Sequence, residues 1–224
     1  MTLRRALAAA VLFCATSCRT LPFPDPHLEG EYGQALKKWT RRVALYSGLE
    51  TRAFVRLVYL SPDFVNAQAK ELSRMRAELP DQAAATLAKM REDYGQPSFF
   101  AVVYVPDRTA NDWNETNSVW RLALNLGMGE HAPGRIIRYE VPFNAEQRML
   151  YPYIDDYSVA YLIRFPAPAP PAEQAFTPVD ASLVAAGALG KMVFHWRLDG
   201  GPEEPSSAEA GPPKKPPAPL EPNP

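Results

Sequence analysis

The sequence predicts a mainly β protein with a helical insert, either an antiparallel β-sandwich of the immunoglobulin-like type or a small barrel of roughly seven or eight strands. Short segments rich in β-branched and aromatic residues recur along the chain between turn residues, which is typical of antiparallel strands. The helical patterns form a single block. Because they do not alternate with the strands, they argue against a doubly wound parallel sheet.

The first two predicted strands form a hairpin before the helical insert. Residues 52–60 (RAFVRLVYL) are dense in β-branched and aromatic side chains, and residues 43–47 form the strand that precedes them. Gly48 between them supplies the turn.

The helical insert spans residues 62–94. Ser61 is predicted to be an N-cap and Pro62 to occupy the first helical position, a combination that is typical of a helix start. Apolar residues then repeat with the period of a helix, and an alanine-rich second helix follows the interruption at Pro80. The methionine and tyrosine on the apolar stripe of this second helix are expected in the core.

Strand patterns return after the insert. The segments are residues 98–105, 118–126, 135–141, 158–165 and 191–198, with residues 182–189 fitting either a helix or a strand. The last strand alternates most clearly, since Met192, Phe194 and Trp196 occupy one face and polar residues the other.

The first 17 residues have the three parts of an export signal peptide. Arg4 and Arg5 form a positive region, residues 6–13 form a short apolar core, and small residues precede Cys18. An apolar run this short does not span a bilayer, which needs about 20 residues.

The residues Ala15-Thr16-Ser17-Cys18 resemble the lipobox of bacterial lipoproteins. The resemblance covers residues 1–18 alone. It implies that Cys18 becomes the first mature residue, is acylated and anchors the chain to a membrane of the cell envelope. Arg19 stands where an aspartate favours inner-membrane retention in this class, so the resemblance favours the outer membrane. Ordinary secretion is the alternative.

Proline clusters indicate the domain boundaries. The chain has 24 prolines in 224 residues, roughly twice the usual share of about 5%. Dense proline excludes helices and central strands. Residues 18–27 are therefore predicted to be a lipidated cysteine with a Pro-rich tether, residues 28–200 the folded domain, and residues 201–224 a disordered Pro-rich tail. The tail also contains PxxP patterns at 213–216 and 216–219.

The composition and the motifs of the sequence argue against several function classes. The net charge of -1 gives no basic footprint for nucleic acid, so no nucleic-acid partner is expected. None of the three histidines lies at metal-ligand spacing from another, and hydrolase motifs such as GxSxG and HExxH are absent from the sequence. The sequence therefore predicts no catalytic residue, no cofactor and no enzymatic activity.

An aromatic cluster is the strongest candidate for a binding site. Tyr151, Tyr153 and Tyr157 lie within seven residues ahead of a strand, and Trp113 lies in a polar loop. Tyrosine combines a wide flat contact surface with a polar tip, which suits recognition of a protein or a glycan. The alternative is that these rings cover the open end of the core.

The polar loop at residues 107–117 is a candidate for a calcium site, because it is rich in hard oxygen ligands. Those ligands are Asp107, Asn111, Asp112, Asn114 and Glu115. Their spacing does not match the twelve-residue calcium loop. The alternative is a solvated loop whose side chains cap its own backbone.

The sequence therefore favours a lipid-anchored, non-enzymatic binding or assembly module of the cell envelope, with an envelope protein or a glycan as partner. One alternative is an envelope hydrolase acting on glycan or cell-wall material, which would need paired carboxylates. Its distinctive acids are Asp107, Asp112, Glu140, Asp155 and Asp156. A second alternative is a structural subunit of a membrane-associated complex, which predicts a surface without a pocket.

Overall fold

The computed structural model describes residues 30–127, 129–139, 142–166, 180–198 and 206–209. Its helices are α1 (Gly30–Trp39), α2 (Pro62–Met75), α3 (Pro80–Asp93) and α4 (Ala145–Leu150), with one 3-10 turn at Arg108–Ala110. Its strands are β1 (Thr40–Ser47), β2 (Glu50–Tyr59), β3 (Ser98–Tyr104), β4 (Trp120–Asn125), β5 (Glu130–His131), β6 (Arg135–Arg138), β7 (Val159–Arg164), β8 (Asp180–Gly187), β9 (Gly190–Arg197) and β10 (Ser207–Glu209).

The strands form two five-stranded sheets. The first sheet has the order β1-β2-β3-β7-β6 and the second has the order β10-β9-β8-β4-β5. Every pairing between neighbouring strands is antiparallel. Two separate sheets confirm the mainly β, sandwich-like part of the prediction, and the described strands do not close into a barrel. They number ten instead of seven or eight. The immunoglobulin-like type stays a prediction.

The first sheet is covered on its inner face and over part of its outer face. On its inner face, which packs on the second sheet, Phe99 of β3 lies 5.2 Å from Trp196 of β9, measured between ring centroids. On its outer face, Phe100 stacks on Tyr151 beside the helices, with centroids 4.1 Å apart. Neighbouring residues of β3 thus point into two apolar layers, and six of the seven residues of this strand are buried.

The helical insert begins as the sequence predicts. The Ser61 hydroxyl accepts a hydrogen bond from the Phe64 amide at 3.1 Å, and Pro62 occupies the first turn. Helix α2 buries an apolar face, whereas α3 has no buried residue. Met90 and Tyr94 of this region are half-buried against the core, so the core prediction for the second helix is only partly right.

The structure contains elements that the sequence did not predict. Helix α1 is held to the domain by the Tyr32 hydroxyl, which donates to the Leu150 carbonyl at 2.8 Å. Strand β10 lies inside the predicted disordered tail and pairs with β9, so that prediction is wrong for residues 207–209. A short edge strand needs only backbone groups to pair, and no proline interrupts residues 206–211.

Other predictions fall outside the described residues. They include the signal peptide, Cys18 and the tether, which precede residue 30, and most of the Pro-rich segments at 166–178 and 201–224. Helix α4 is a further unpredicted element, so the helices do not form the single block that the sequence indicates.

Strand β8 approaches the segment before β4 closely at Gly187. A Cβ atom at Gly187 would collide with the carbonyl oxygen of Val119, which is backbone and has little room to move. This position therefore requires glycine for packing reasons.

We expect Gly187→Ala to lower the free energy of unfolding by about 2 kcal/mol, because the added methyl group forces the two strands apart. Gly134→Ala is the control, since its Cβ would meet its nearest atom at an ordinary 3.7 Å. That change should stay within about 0.5 kcal/mol. Urea unfolding followed by circular dichroism measures both, and equal losses would contradict the packing argument.

Candidate functional site

A groove with a volume of about 1010 Å³ lies on the outer face of the first sheet. The described residues that line it come from strands β1, β2 and β3 and from the loop at residues 153–158. We call it the aromatic groove because five rings line it. The rings are those of Tyr46, Phe54, Tyr104, Tyr153 and Tyr157.

Three of these rings form a row across neighbouring strands. Phe54 of β2 pairs directly with Tyr104 of β3, and their rings stack with centroids 5.9 Å apart. Tyr46 of β1 meets Phe54 edge to face at 5.8 Å and is 47% exposed. The pairing of β1 with β2 shifts between Leu45 and Tyr46, which leaves Arg52 as the extra residue of a β-bulge.

Charged groups occupy the wall and rim of the groove. The Arg56 guanidinium lies 4.8 Å from the centroid of the Tyr153 ring, a cation–π contact that holds both side chains. Arg42 is exposed on β1. The Asp155 carboxylate accepts hydrogen bonds from the backbone amides of Tyr157 at 3.0 Å and Ser158 at 2.8 Å.

These hydrogen bonds fix the loop that carries the most exposed ring. Tyr157 is 70% exposed, although its backbone is held by Asp155. The groove therefore presents an ordered set of rings to solvent and does not need to assemble them when a ligand arrives.

The structure brings together two of the four predicted binding residues. Tyr153 and Tyr157 line the groove. The prediction of an exposed patch is wrong for Trp113 and Tyr151, which are 2% and 5% exposed. Trp113 stacks on Tyr161 in the inner layer with centroids 5.7 Å apart, so it lies on the other side of the first sheet.

Tyr151 has a structural role beside a second, smaller cavity. Its hydroxyl accepts a hydrogen bond from Gln68 Nε2 at 2.8 Å, and its ring stacks on Phe100. Burial raises the pKa of Tyr151 well above its usual value, which keeps the phenol neutral. The cavity, of about 280 Å³, lies between the helices and the first sheet.

Sequence reasoning missed most of the groove. The sequence predicts strands, but no binding role, for four groove residues: Tyr46, Phe54, Arg56 and Tyr104. A signal existed in β2, where Phe54 and Arg56 alternate with the buried Val55 and therefore share the opposite face. The pairing that brings Phe54 to Tyr104 joins residues 50 positions apart, and the sequence pattern does not specify it.

The polar loop uses its oxygens to hold its own backbone. Asp107 accepts from the Thr109 amide at 3.0 Å, and that neighbour's hydroxyl and amide lower the pKa of Asp107. Asp112 accepts from Ser118 Oγ at 2.8 Å and from the Val119 amide at 3.1 Å. These hydrogen bonds fit the alternative to a calcium site, which is a solvated loop whose side chains cap its own backbone.

Two further loop residues are held by other contacts. Asn111 is buried, and Asn114 donates to Glu115 Oε1 at 2.7 Å. Within the described ranges, no three His, Cys, Asp or Glu side chains are grouped so that they could hold a metal ion.

The acids of the hydrolase alternative are dispersed. Asp156 forms an ion pair with Arg148 at 2.7 Å, while Asp107 and Asp112 belong to the polar loop. Glu140 lies outside the described residues. Among the described residues that line the aromatic groove, Asp155 is the one acid.

We expect Asn111→Ala to lower the free energy of unfolding by about 2 kcal/mol. The Asn111 amide donates to the buried Val103 carbonyl at 2.9 Å, and the truncation leaves that carbonyl without its donor. Asn114→Ala removes an exposed hydrogen bond to Glu115 and an Oδ1 that makes no hydrogen bond among the described residues, so it should cost less than about 0.5 kcal/mol. Urea unfolding compares the two variants. Added calcium chloride should leave the melting temperature unchanged, and a rise would revive the calcium site.

Comparisons with known proteins add one structural neighbour. No family model matches the chain, and no curated protein matches it. The neighbour is a protein of unknown function from Burkholderia pseudomallei K96243, which is 14% identical and has a TM-score of 0.34. The match covers 82% of this chain and 84% of that protein.

Within the ranges that the structure describes, none of the helices combines the length and the apolar character needed to cross a membrane.

Proposed function

We propose that the protein is a lipid-anchored, non-enzymatic recognition module of the bacterial cell envelope, and that its aromatic groove binds a segment of a partner protein. The composition of the groove carries this proposal. Its described lining includes four tyrosines, one phenylalanine and two arginines. Tyrosine and arginine dominate the energetic centres of protein interfaces.

The order of the groove also suits recognition. Arg56 is held against the Tyr153 ring, and Asp155 holds the backbone of the loop that carries Tyr157. A ligand that docks on fixed rings avoids much of the side-chain ordering cost, which is about 0.5–1.5 kcal/mol for each immobilised side chain.

Binding is favoured over the two alternatives. Glycoside hydrolysis usually needs two carboxylates flanking the scissile bond, whereas Asp155 is the single acid among the described groove-lining residues, and its Oδ1 accepts two backbone hydrogen bonds. The structural-subunit alternative predicts a surface without a pocket, so a groove of about 1010 Å³ favours recognition.

The anchor restricts which partners the groove meets. Lipidation at Cys18 would leave about 12 residues before helix α1 begins at Gly30, a span of at most about 40 Å when fully extended. The partner is therefore a protein at or near the same membrane. Arg19, in place of aspartate, favours the outer membrane.

We expect radiolabelled palmitate to be incorporated into the protein in a bacterial host and to be lost in Cys18→Ala, because the acyl chains attach to that residue. Cys14→Ala is the matched control, since it changes the other cysteine of the chain and should keep its label. Gel autoradiography after immunoprecipitation measures both. Equal labelling of the two variants would refute the anchor at Cys18.

We expect a photo-crosslinking residue at Tyr157 to form an adduct with one envelope protein in native cells. The same residue at Leu79, which is 67% exposed and outside the groove, should not capture that protein. Adding Tyr46→Ala should reduce the adduct about tenfold, as expected for a contact worth about 1.4 kcal/mol. Immunoblotting and mass spectrometry identify and quantify the adduct, and capture that is independent of Tyr46 would contradict the proposed site.

A further inference from the structure

We infer that residues 211–224 of this same chain dock in the aromatic groove and compete there with the partner protein. The inference rests on the proposed function, because it assumes that the groove recognises an extended protein segment. Three features support it: where the described chain leads, how far the remaining residues reach, and what chemistry they carry.

The last described residues lie against β1, the strand that forms one side of the groove. Strand β10 pairs with β9 at the edge of the second sheet, with Glu209 opposite Lys191. It also contacts β1, the edge strand of the first sheet. Because β1 carries Arg42 and Tyr46, the residues that follow Glu209 begin next to one side of the groove.

The following residues are long enough to cross it. The groove extends from β1 to β3, two strand spacings of about 4.8 Å each, or roughly 10 Å. Proline-rich chain favours the polyproline conformation, which advances about 3.1 Å per residue. Residues 210–224 would then reach about 46 Å, so the prolines from 212 onward can lie over the rings.

The chemistry of the segment fits the groove. Its sequence, GPPKKPPAPLEPNP, is dominated by proline and contains the PxxP patterns at 213–216 and 216–219. Aromatic-lined grooves bind PxxP segments, since the ligand is already extended and loses little entropy on docking. The segment also carries both signs of charge, as the groove does: Lys214 and Lys215 are opposite in charge to Asp155, and Glu221 is opposite in charge to Arg42 and Arg56.

The connection through β10 makes this docking intramolecular. A tethered segment has a high effective concentration near its site, so a weak contact suffices to occupy the groove. A partner binds only the fraction of molecules with a vacant groove, which lowers its apparent affinity by that fraction. The segment would thus set a threshold for partner binding.

Hydroxyl-radical footprinting of the full chain tests the inference. The test variant replaces Pro212, Pro213, Pro216 and Pro217 with alanine, outside the described domain, and an unchanged melting temperature confirms its fold. We expect oxidation of Tyr46 and Tyr157 to be at least threefold faster in the variant. Leu79 and Met149, exposed elsewhere, should react equally in both proteins.

Each outcome of this test decides the inference. Equal tyrosine oxidation in the two proteins would overturn it. Protection that weakens on tenfold dilution would also overturn it, because the occupant would then be a second copy of the chain. Protection that is independent of concentration and lost in the variant supports docking of the same chain's segment.

Crosslinking from Tyr157 separates this inference from the proposed function. A Tyr46-dependent partner adduct without tail protection would leave the function standing and remove the tail from the groove. Tail protection in the unchanged chain, with no partner adduct even in the four-proline variant, would keep the tail in the groove and contradict the proposed function. If both hold, the partner adduct should increase in the four-proline variant.

Discussion

The architecture depends on one strand that is apolar on both faces. Phe99 of β3 must be covered on the inner side of the first sheet and Phe100 on the outer side. The second sheet covers the inner side, and α2, α4 and the residues around Tyr151 cover one end of the outer side. The other end, where Phe54 and Tyr104 lie, has no helical cover among the described residues. The groove is thus the part of a two-faced sheet that the helices leave open.

Periodicity and capping predicted much of this fold, because they act over a few residues. The insert could be located from Ser61 and Pro62, and strands such as β9 from their alternation. The sequence also contains a capping box for helix α4, which was not predicted: Asn144 and Gln147 each accept a hydrogen bond from the other's backbone amide. Strand β10 had none, because its pairing uses backbone groups alone. The groove was predictable in its tyrosine-rich loop but not in its floor, which depends on strand register.

The loop at residues 151–158 links the core to the groove. Tyr151 and Ile154 are buried, while Tyr157 projects into solvent. Asp155 lies between Ile154 and Tyr157, and its carboxylate accepts hydrogen bonds from the backbone amides of Tyr157 and Ser158. This explains why a cluster of similar residues divides into structural and surface roles. The same composition that indicated a binding patch also supplied the aromatic cover for Phe100, and the residue type alone does not separate the two uses.

The bulge at Arg52 is a backbone feature of the groove, whereas the chemistry of the groove comes from side chains. One extra backbone residue generally bends a strand and increases its twist, and this one stands two positions before Phe54 of the groove. The rings that line the concavity are side chains on neighbouring positions. Point substitutions can therefore change which ligand is preferred while the strand pairing is unchanged, whereas deletion of Arg52 alters the backbone that places Tyr46 beside Phe54. The same backbone can therefore carry grooves of different ligand specificity.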